Sequence, residues 1–212
     1  MKKFNLEKNK IHLKGGQLDI VVGGMFSGKS SRALSILDTH ASVDEKCAII
    51  KHSSDDRCSK KKISMHNGRS IEADFVCNDL KKLWMTEGTI NYILGCYCIW
   101  IDEGQFFSGT LVPFVLKLLE CDKHVVVSGL NLNFHCDVYD DMAKLSMIAD
   151  NVYKLKTRCM CCKNNHGIYS YMIPDKNTGD KIQIGGKEKY KIYCRSCFMK
   201  NYKKENYIKE KK

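Results

Sequence analysis

Proline is nearly missing from this chain, with only Pro113 and Pro174 among 212 residues. That scarcity excludes proline-rich linkers and polyproline recognition segments, and no domain boundary is marked by that residue. Long apolar runs are missing too. None approaches the ~18 residues a membrane-spanning helix needs, so no membrane association is expected. The first 14 residues are Lys-rich, without an apolar stretch or a small-residue cleavage site, and the expectation is a cytoplasmic chain with no secretory signal. No internal repeat interrupts the sequence, which excludes solenoids and propellers.

Acidic residues are outnumbered 24 to 35 by Lys and Arg, giving a net charge of +11. Such an excess often marks a nucleic-acid surface. Its distribution argues otherwise here: residues 1–14 carry five lysines against Glu7, and residues 200–212 carry six against Glu205 and Glu210. Each end therefore holds +4, and +3 is left for the body. Lys-rich ends of this kind read as solvated tails, so no nucleic-acid partner is expected.

What remains is enough for one substantial core with a small appendage. Gln17 to Val22 reads as a buried strand, and Ala33, Ile36, Leu37, His40 and Ala41 then recur at the spacing of one helix face. Further strands are expected at Cys47 to Lys51, Tyr97 to Ile101 and His124 to Ser128, with a helix at Leu111 to Leu119 and a polar loop from His52 to about Asn67. Strands alternating with helices predict an α/β fold with a parallel sheet. Composition changes near Asn151, where Cys, Gly, Lys and Tyr rise, so the expected organisation is a tail at 1–14, an α/β domain at 15–150, a small module at 151–199 and a tail at 200–212.

Between the first strand and first helix stands Gly23-Gly24-Met25-Phe26-Ser27-Gly28-Lys29-Ser30, a phosphate-binding loop in its required setting. Its glycines let backbone N–H groups turn toward phosphate oxygens, and the helix N-terminus adds partial positive charge. Lys29 is placed to reach the β- and γ-phosphates of ATP, and the Ser30 hydroxyl to ligate Mg²⁺. A second acidic feature follows at Asp102-Glu103, after the apolar strand. Asp102 is a candidate Mg²⁺ ligand, and Glu103, at the carboxyl end of a strand, a candidate general base. Its proton donor could be water, giving an NTPase, or a substrate hydroxyl, giving a kinase.

Twelve cysteines without a signal peptide suggest metal binding or burial rather than disulfides. Cys47, Cys77, Cys96, Cys98 and Cys121 lie in or beside apolar runs, where a thiol behaves as a small hydrophobe, and no function is assigned to them. Cys159 with Cys162 and Cys194 with Cys197 form two C-x-x-C pairs, a structural Cys₄ zinc site, with Cys161 an alternative to Cys162. The 31 residues between the pairs exceed the roughly 15–20 of a usual ribbon. They read as two extended runs around a turn, either a metal-anchored lid over a ligand or a plain surface hairpin.

Taken together, Met25 to Ser30, Ile101-Asp102-Glu103-Gly104-Gln105-Phe106-Phe107, Ile184-Gly185-Gly186, Tyr190 and Cys194-Arg195-Ser196-Cys197 resemble the zinc-containing type II thymidine kinases from about Gly16 to Phe198. The resemblance implies a P-loop NTPase-like sheet with a small zinc-ribbon domain carrying a lasso loop. It further implies that Glu103 deprotonates the 5′-hydroxyl of thymidine, with deoxyuridine a candidate second acceptor, for attack on ATP in the presence of Mg²⁺. Asp55, Asp56 and Arg57 would stand on the triphosphate side with Asp102 and Gln105. Phe106, Leu130, Phe134 and Tyr139 would line the nucleoside pocket, and Ser170 would sit near the thymine methyl. Lys181, Ile182, Gln183, Ile184 and Gly185 would grip the base through their backbone, and Tyr190 would contact the sugar. A homotetramer and feedback inhibition by dTTP complete the expectation. Gly24 stands where the family often has Pro, and Asn131 where it often has Asp. Two readings compete with the kinase: a nucleic-acid-stimulated NTPase, disfavoured because there is room for one lobe only, and a non-catalytic nucleotide-binding module, disfavoured by Lys29, Ser30, Asp102 and Glu103 being intact.

Overall fold

Residues 15–55, 61–65, 68–163, 166–173 and 190–201 are described by the structure, a computed structural model. Five apolar segments with little polar interruption become strands of a parallel sheet, the first four of them its interior: β1 (Gln17–Gly23), β2 (Cys47–His52), β6 (Cys98–Asp102), β7 (His124–Gly129) and, at one edge, β5 (Phe75–Cys77). With β8 (Asn151–Leu155) they order as β5-β2-β6-β7-β1-β8, every neighbouring pair parallel. Between β2 and β5 lies a short antiparallel pair, β3 (Lys62–Ser64) and β4 (Ser70–Glu72), of which β3 falls in the stretch expected to be loop.

Because side chains alternate across a strand, the sheet divides its residues between two cores. One face carries Leu18, Ile20, Ala48, Ile50, Ile99, Ile101, Val125 and Val127. It is covered by α2 (Leu80–Met85), α3 (Glu87–Leu94), α4 (Leu111–Glu120) and α5 (Asp140–Ile148). The other face carries Val21, Ile49, Cys98, Trp100 and Val126 and packs on Ala33, Leu34, Ile36 and Leu37 of α1 (Lys29–Ala41). Each such side chain removed from water stabilises the fold by about 1.5–3 kcal/mol.

The same alternation places a second set of residues on the α1 face: Asp19, Lys51, Asp102, His124 and Ser128, all buried. Lys51, Asp102 and Ser128 lie at the carboxyl ends of their strands, Asp19 and His124 near the amino ends. A polar cluster therefore stands at each end of the α1 face.

The composition change at Asn151 falls at the start of β8, which pairs with β1 and is part of the central sheet. Beyond it, β9 (Thr157–Arg158) pairs with β10 (His166–Gly167), and β11 (Tyr169–Met172) with β12 (Tyr190–Tyr193), both antiparallel. Residues 195–201 are helical. Tyr169 stacks on Phe198 at 4.8 Å and Tyr171 on Tyr193 at 5.0 Å, a small core around Cys159 and Cys194. Of the two extended runs expected between the cysteine pairs, the one at Tyr169 to Tyr171 is β11, and the one at Ile182 to Gly186 lies outside the described residues. Of the thiols expected to be buried hydrophobes, Cys96 and Cys98 are buried and Cys47 and Cys77 partly so, whereas Cys121 is exposed just past the end of α4.

Candidate active site

The turn after β1 enters α1 through Gly28 at φ +86°, a left-handed conformation that glycine adopts without steric cost. No side chain caps α1 and no acidic residue occupies its first turn, so its leading N–H groups are left for an anion. Lys29 is buried and folds its Nζ back over the loop, donating to the Gly24 carbonyl at 3.0 Å. Ser27 Oγ donates to the same carbonyl at 2.8 Å. Met25, Phe26 and Ser30 are partly exposed around this loop, and Gly23 and Gly24 are buried beneath it.

Across the sheet, the ends of β2 and β6 bring three carboxylates together: oxygens of Asp55, Asp102 and Glu103 lie within 4.8 Å of one another, all buried. Buried like charges at that distance repel strongly unless a cation joins them. Lys51 Nζ supplies part of the compensation, 3.5 Å from Asp55 Oδ2, and donates to the Lys62 carbonyl at 2.8 Å. Oxygen ligands of this hardness fit Mg²⁺.

Asp102 and Glu103 are fixed by different means. Ser128 Oγ donates to Asp102 Oδ1 at 2.6 Å, and Trp100 Nε1 donates to Ser128 Oγ at 2.8 Å, a buried relay across β6 and β7. Glu103 takes φ +51° and ψ +48°, which costs a non-glycine residue about 1–2 kcal/mol, and turns the chain out of β6 into a single 3-10 turn, Gly104–Phe106. Gln105 Nε2 then donates to Glu103 Oε2 at 2.7 Å, while Gln105 Oε1 accepts from Leu130 N at 2.9 Å. Gly129 makes room for this bridge, because a Cβ there would lie 2.6 Å from Gln105 Oε1. Gln105, expected on the triphosphate side, thus spends both side-chain ends holding Glu103 and the 130–139 loop.

That loop carries the expected nucleoside-side residues. Leu130, Phe134 and Tyr139 are partly buried, and the loop is shaped by Asn133 Oδ1, which accepts from His135 N and Asp137 N at 2.9 Å each. Burial pushes the Tyr139 hydroxyl pKa up, and the charges of Tyr190 and Glu103 push it further. Phe106 is half-buried with its ring 5.4 Å from that of His52. Ser170 is buried opposite Ile192, and Tyr190 opposite Met172, in the β11–β12 ladder. Asp56, Arg57 and Lys181 to Gly185 lie outside the described residues. Lys51 and Ser128 were passed over by the motif reading. Their signal is a polar residue near the carboxyl end of a mostly apolar strand, in Cys47 to His52 and in His124 to Gly129.

The cysteine pairs meet as expected: sulfurs of Cys159, Cys162, Cys194 and Cys197 lie within 4.8 Å of one another, and Cys161 is exposed and outside the group. Burial pushes the Cys159 thiol up, but hydrogen bonds from the backbone around Cys162, Cys194 and Cys161 outweigh it and bring it down to about 6. Cys197 is pushed up by its hydrogen bond to Cys194 and by burial. Four sulfur donors at this spacing, in the number a tetrahedral ion takes, fit Zn²⁺.

The family model for thymidine kinase matches residues 16–198. Among curated proteins, the chain is 30% identical over 186 residues to a thymidine kinase of Amsacta moorei entomopoxvirus, covering 87% of this chain and 99% of the relative. It is 31% identical to that of Rabbit fibroma virus, covering 87% and 97%, and 29% identical to that of Pseudothermotoga lettingae, covering 87% and 96%. With a phosphate loop, a held glutamate and a four-cysteine cluster in one α/β frame, and a family match spanning nearly all of it, the chain belongs to the thymidine kinase family.

Proposed function

We propose that this kinase transfers the γ-phosphate of ATP to the 5′-hydroxyl of thymidine with Glu103 as the general base. The observation that carries the assignment is the bridge through Gln105: it occupies one oxygen of Glu103 and ties the carboxylate to Leu130 at the start of the nucleoside-side loop. A base whose carboxylate is fixed at one oxygen meets the hydroxyl without a search through rotamers, which is the positional part of acid–base catalysis. The phosphate loop, from Gly23 to Ser30, holds the triphosphate, with Lys29 moving from the Gly24 carbonyl onto its oxygens. Asp55 and Asp102, with Ser30, would hold Mg²⁺, which supplies charge neutralisation across the β- and γ-phosphates. Phosphoryl transfer then needs little beyond alignment and electrostatic stabilisation, and the proton of the hydroxyl ends on Glu103.

Leu130, Phe134 and Tyr139 line the base pocket, and Ser170 and Tyr190 close it from the zinc-held hairpin, with the backbone of Lys181 to Gly185 as base-gripping lasso and Asp56 and Arg57 beside the triphosphate. Structural Zn²⁺ at Cys159, Cys162, Cys194 and Cys197 fixes the hairpin's base. The α/β sheet through β8 acts as the nucleotide-binding domain and the residues beyond it, to 199, as the lasso domain, with the Lys-rich tails outside the chemistry. The reading extends to a cytoplasmic homotetramer inhibited by dTTP. No helix among the described residues is long and apolar enough to cross a membrane. The edge strand β8 and the end of α5 expose Val152, Ile148 and Met147, which supports self-association.

Glu103→Gln tests the base. Its geometry is near-isosteric, so a loss of at least ~100-fold in kcat with ATP affinity retained is expected, and wild-type turnover would reject the role. Assays with thymidine, deoxyuridine and deoxycytidine as acceptors, and light scattering for the oligomer, check the remainder.

A further inference from the structure

The amino-terminal edge of the sheet, remote from the phosphate loop, holds a cluster that phosphoryl transfer does not use. A ring nitrogen each of His40 and His124 and the Cys98 sulfur lie within 4.8 Å of one another. Three elements supply them: His40 the last turn of α1, Cys98 the first residue of β6 and His124 the first of β7. Cys98 and His124 are buried, and the His40 side chain is 17% exposed.

The hydrogen-bonding pattern is that of two imidazoles turned toward a shared point. His40 Nδ1 lies 2.6 Å from Glu45 Oε2, and His124 Nε2 lies 3.3 Å from Asp19 Oδ2. Asp19 is itself held by Asn151 Nδ2 at 2.8 Å and Gln17 Nε2 at 3.2 Å. The two remaining nitrogens, His40 Nε2 and His124 Nδ1, face each other at 2.7 Å. If both outer nitrogens carry their protons toward the carboxylates, the inner pair presents two lone pairs to one space. An N–H between the two rings instead requires either that one outer nitrogen give up its proton or that one imidazole be charged. A cation in that space, a metal ion or a shared proton, joins the two rings.

We propose that His40, His124 and Cys98 form a second transition-metal site, distinct from the four-cysteine cluster and selective for a borderline cation of the Zn²⁺ class. The donor set, two imidazoles and a thiolate, excludes Mg²⁺ and Ca²⁺, which take oxygen ligands. Glu45 and Asp19 are the outer carboxylates that orient metal-bound histidines and raise their basicity. Two nitrogens on one tetrahedral zinc stand about 3.3 Å apart, given Zn–N bonds near 2.0–2.1 Å, so the rings separate by roughly 0.6 Å on loading. The metal clamps the end of α1 to the starts of β6 and β7. Ser128 lies four residues along β7 from His124, roughly 13 Å away, so the site acts on the stability of the frame that carries the active site rather than on its chemistry.

The test is zinc stoichiometry of the full chain after equilibrium dialysis at micromolar free Zn²⁺, with melting temperature read in parallel. Wild type is expected to hold two zinc ions, and His40→Gln and Cys98→Ser one each, with the zinc-dependent rise in melting temperature reduced. His40 is partly exposed, so His40→Gln decides the matter even where Cys98→Ser fails to fold. Glu45→Gln should keep both sites and weaken the second 10–100-fold. One zinc per wild-type chain overturns the proposal, leaving a shared proton between the rings, and so does retention of two in His40→Gln.

Discussion

Glu103 owes its position to neighbours more than to its own chain. Its left-handed backbone is unfavourable, and it persists because Gln105 ties its carboxylate to Leu130. Ser128 serves Asp102 in the same way, standing between the indole of Trp100 and the carboxylate. Ser128→Ala should leave a buried indole N–H and a buried carboxylate oxygen each short of a partner. A loss of about 1–3 kcal/mol in denaturant unfolding is expected, with a fall in kcat, since each unsatisfied group carries its desolvation cost. Lys51 is the third such residue. It is 1% exposed and its amine stands 3.5 Å from Asp55. Lys51→Met removes one partner of a buried pair, and chemical denaturation should register about 3–5 kcal/mol. Neither residue belongs to a recognisable motif. Their roles arise only where strands that are distant in sequence come side by side.

At the scale of elements, period-two alternation explains most of the site. The strand ends that carry Lys51, Asp102 and Ser128 project toward α1, which the glycine-rich loop enters, so that loop and the acidic cluster lie on the same face of the sheet. His52, the last residue of β2, points the other way, against the rings of Phe106 and Phe107. Burial pushes its pKa below the ordinary 6.5, outweighing the backbone of Asn78 and the charge of Asp55, which act upward. The Ser54 N–H donates to its Nδ1 at 3.1 Å, which suits the neutral ring. The folded state therefore binds this proton more weakly than the unfolded chain does. Its contribution to stability is complete above the ordinary imidazole pKa and is lost as pH falls through 6.5 toward the depressed folded value. Thermal melts taken between about pH 7.5 and about 5.5 should show a decline that His52→Gln flattens.

Across the whole molecule, the cysteine module is coupled to the phosphate loop and to the nucleoside-side loop. Cys136 packs against the module's small core, and a Cβ on Gly24 would meet Ile192 of β12 at 3.5 Å. Zinc loss should therefore be felt at the acceptor pocket. Cys197→Ser, assayed with Mg²⁺ held constant, is expected to raise the thymidine KM more than the ATP KM and to lower the melting temperature. An unchanged thymidine KM would show that the hairpin carrying Ser170 and Tyr190 does not depend on the metal.

The α/β frame, the phosphate loop, the acidic pair and the pairing of Cys159, Cys162, Cys194 and Cys197 were all legible in the chain, because each is a local pattern. A glycine-rich turn between strand and helix, an apolar run ending in carboxylates and two C-x-x-C turns are defined by residues a few positions apart. What tertiary structure alone decided were the relations between segments. β8 belongs to the central sheet although composition shifts at its first residue. Gln105 bridges Glu103 and Leu130, 25 residues apart from the latter. His40 and His124, 84 residues apart, come to 2.7 Å. Strand order and register set which side chains meet, and spacing along one chain contains no record of either.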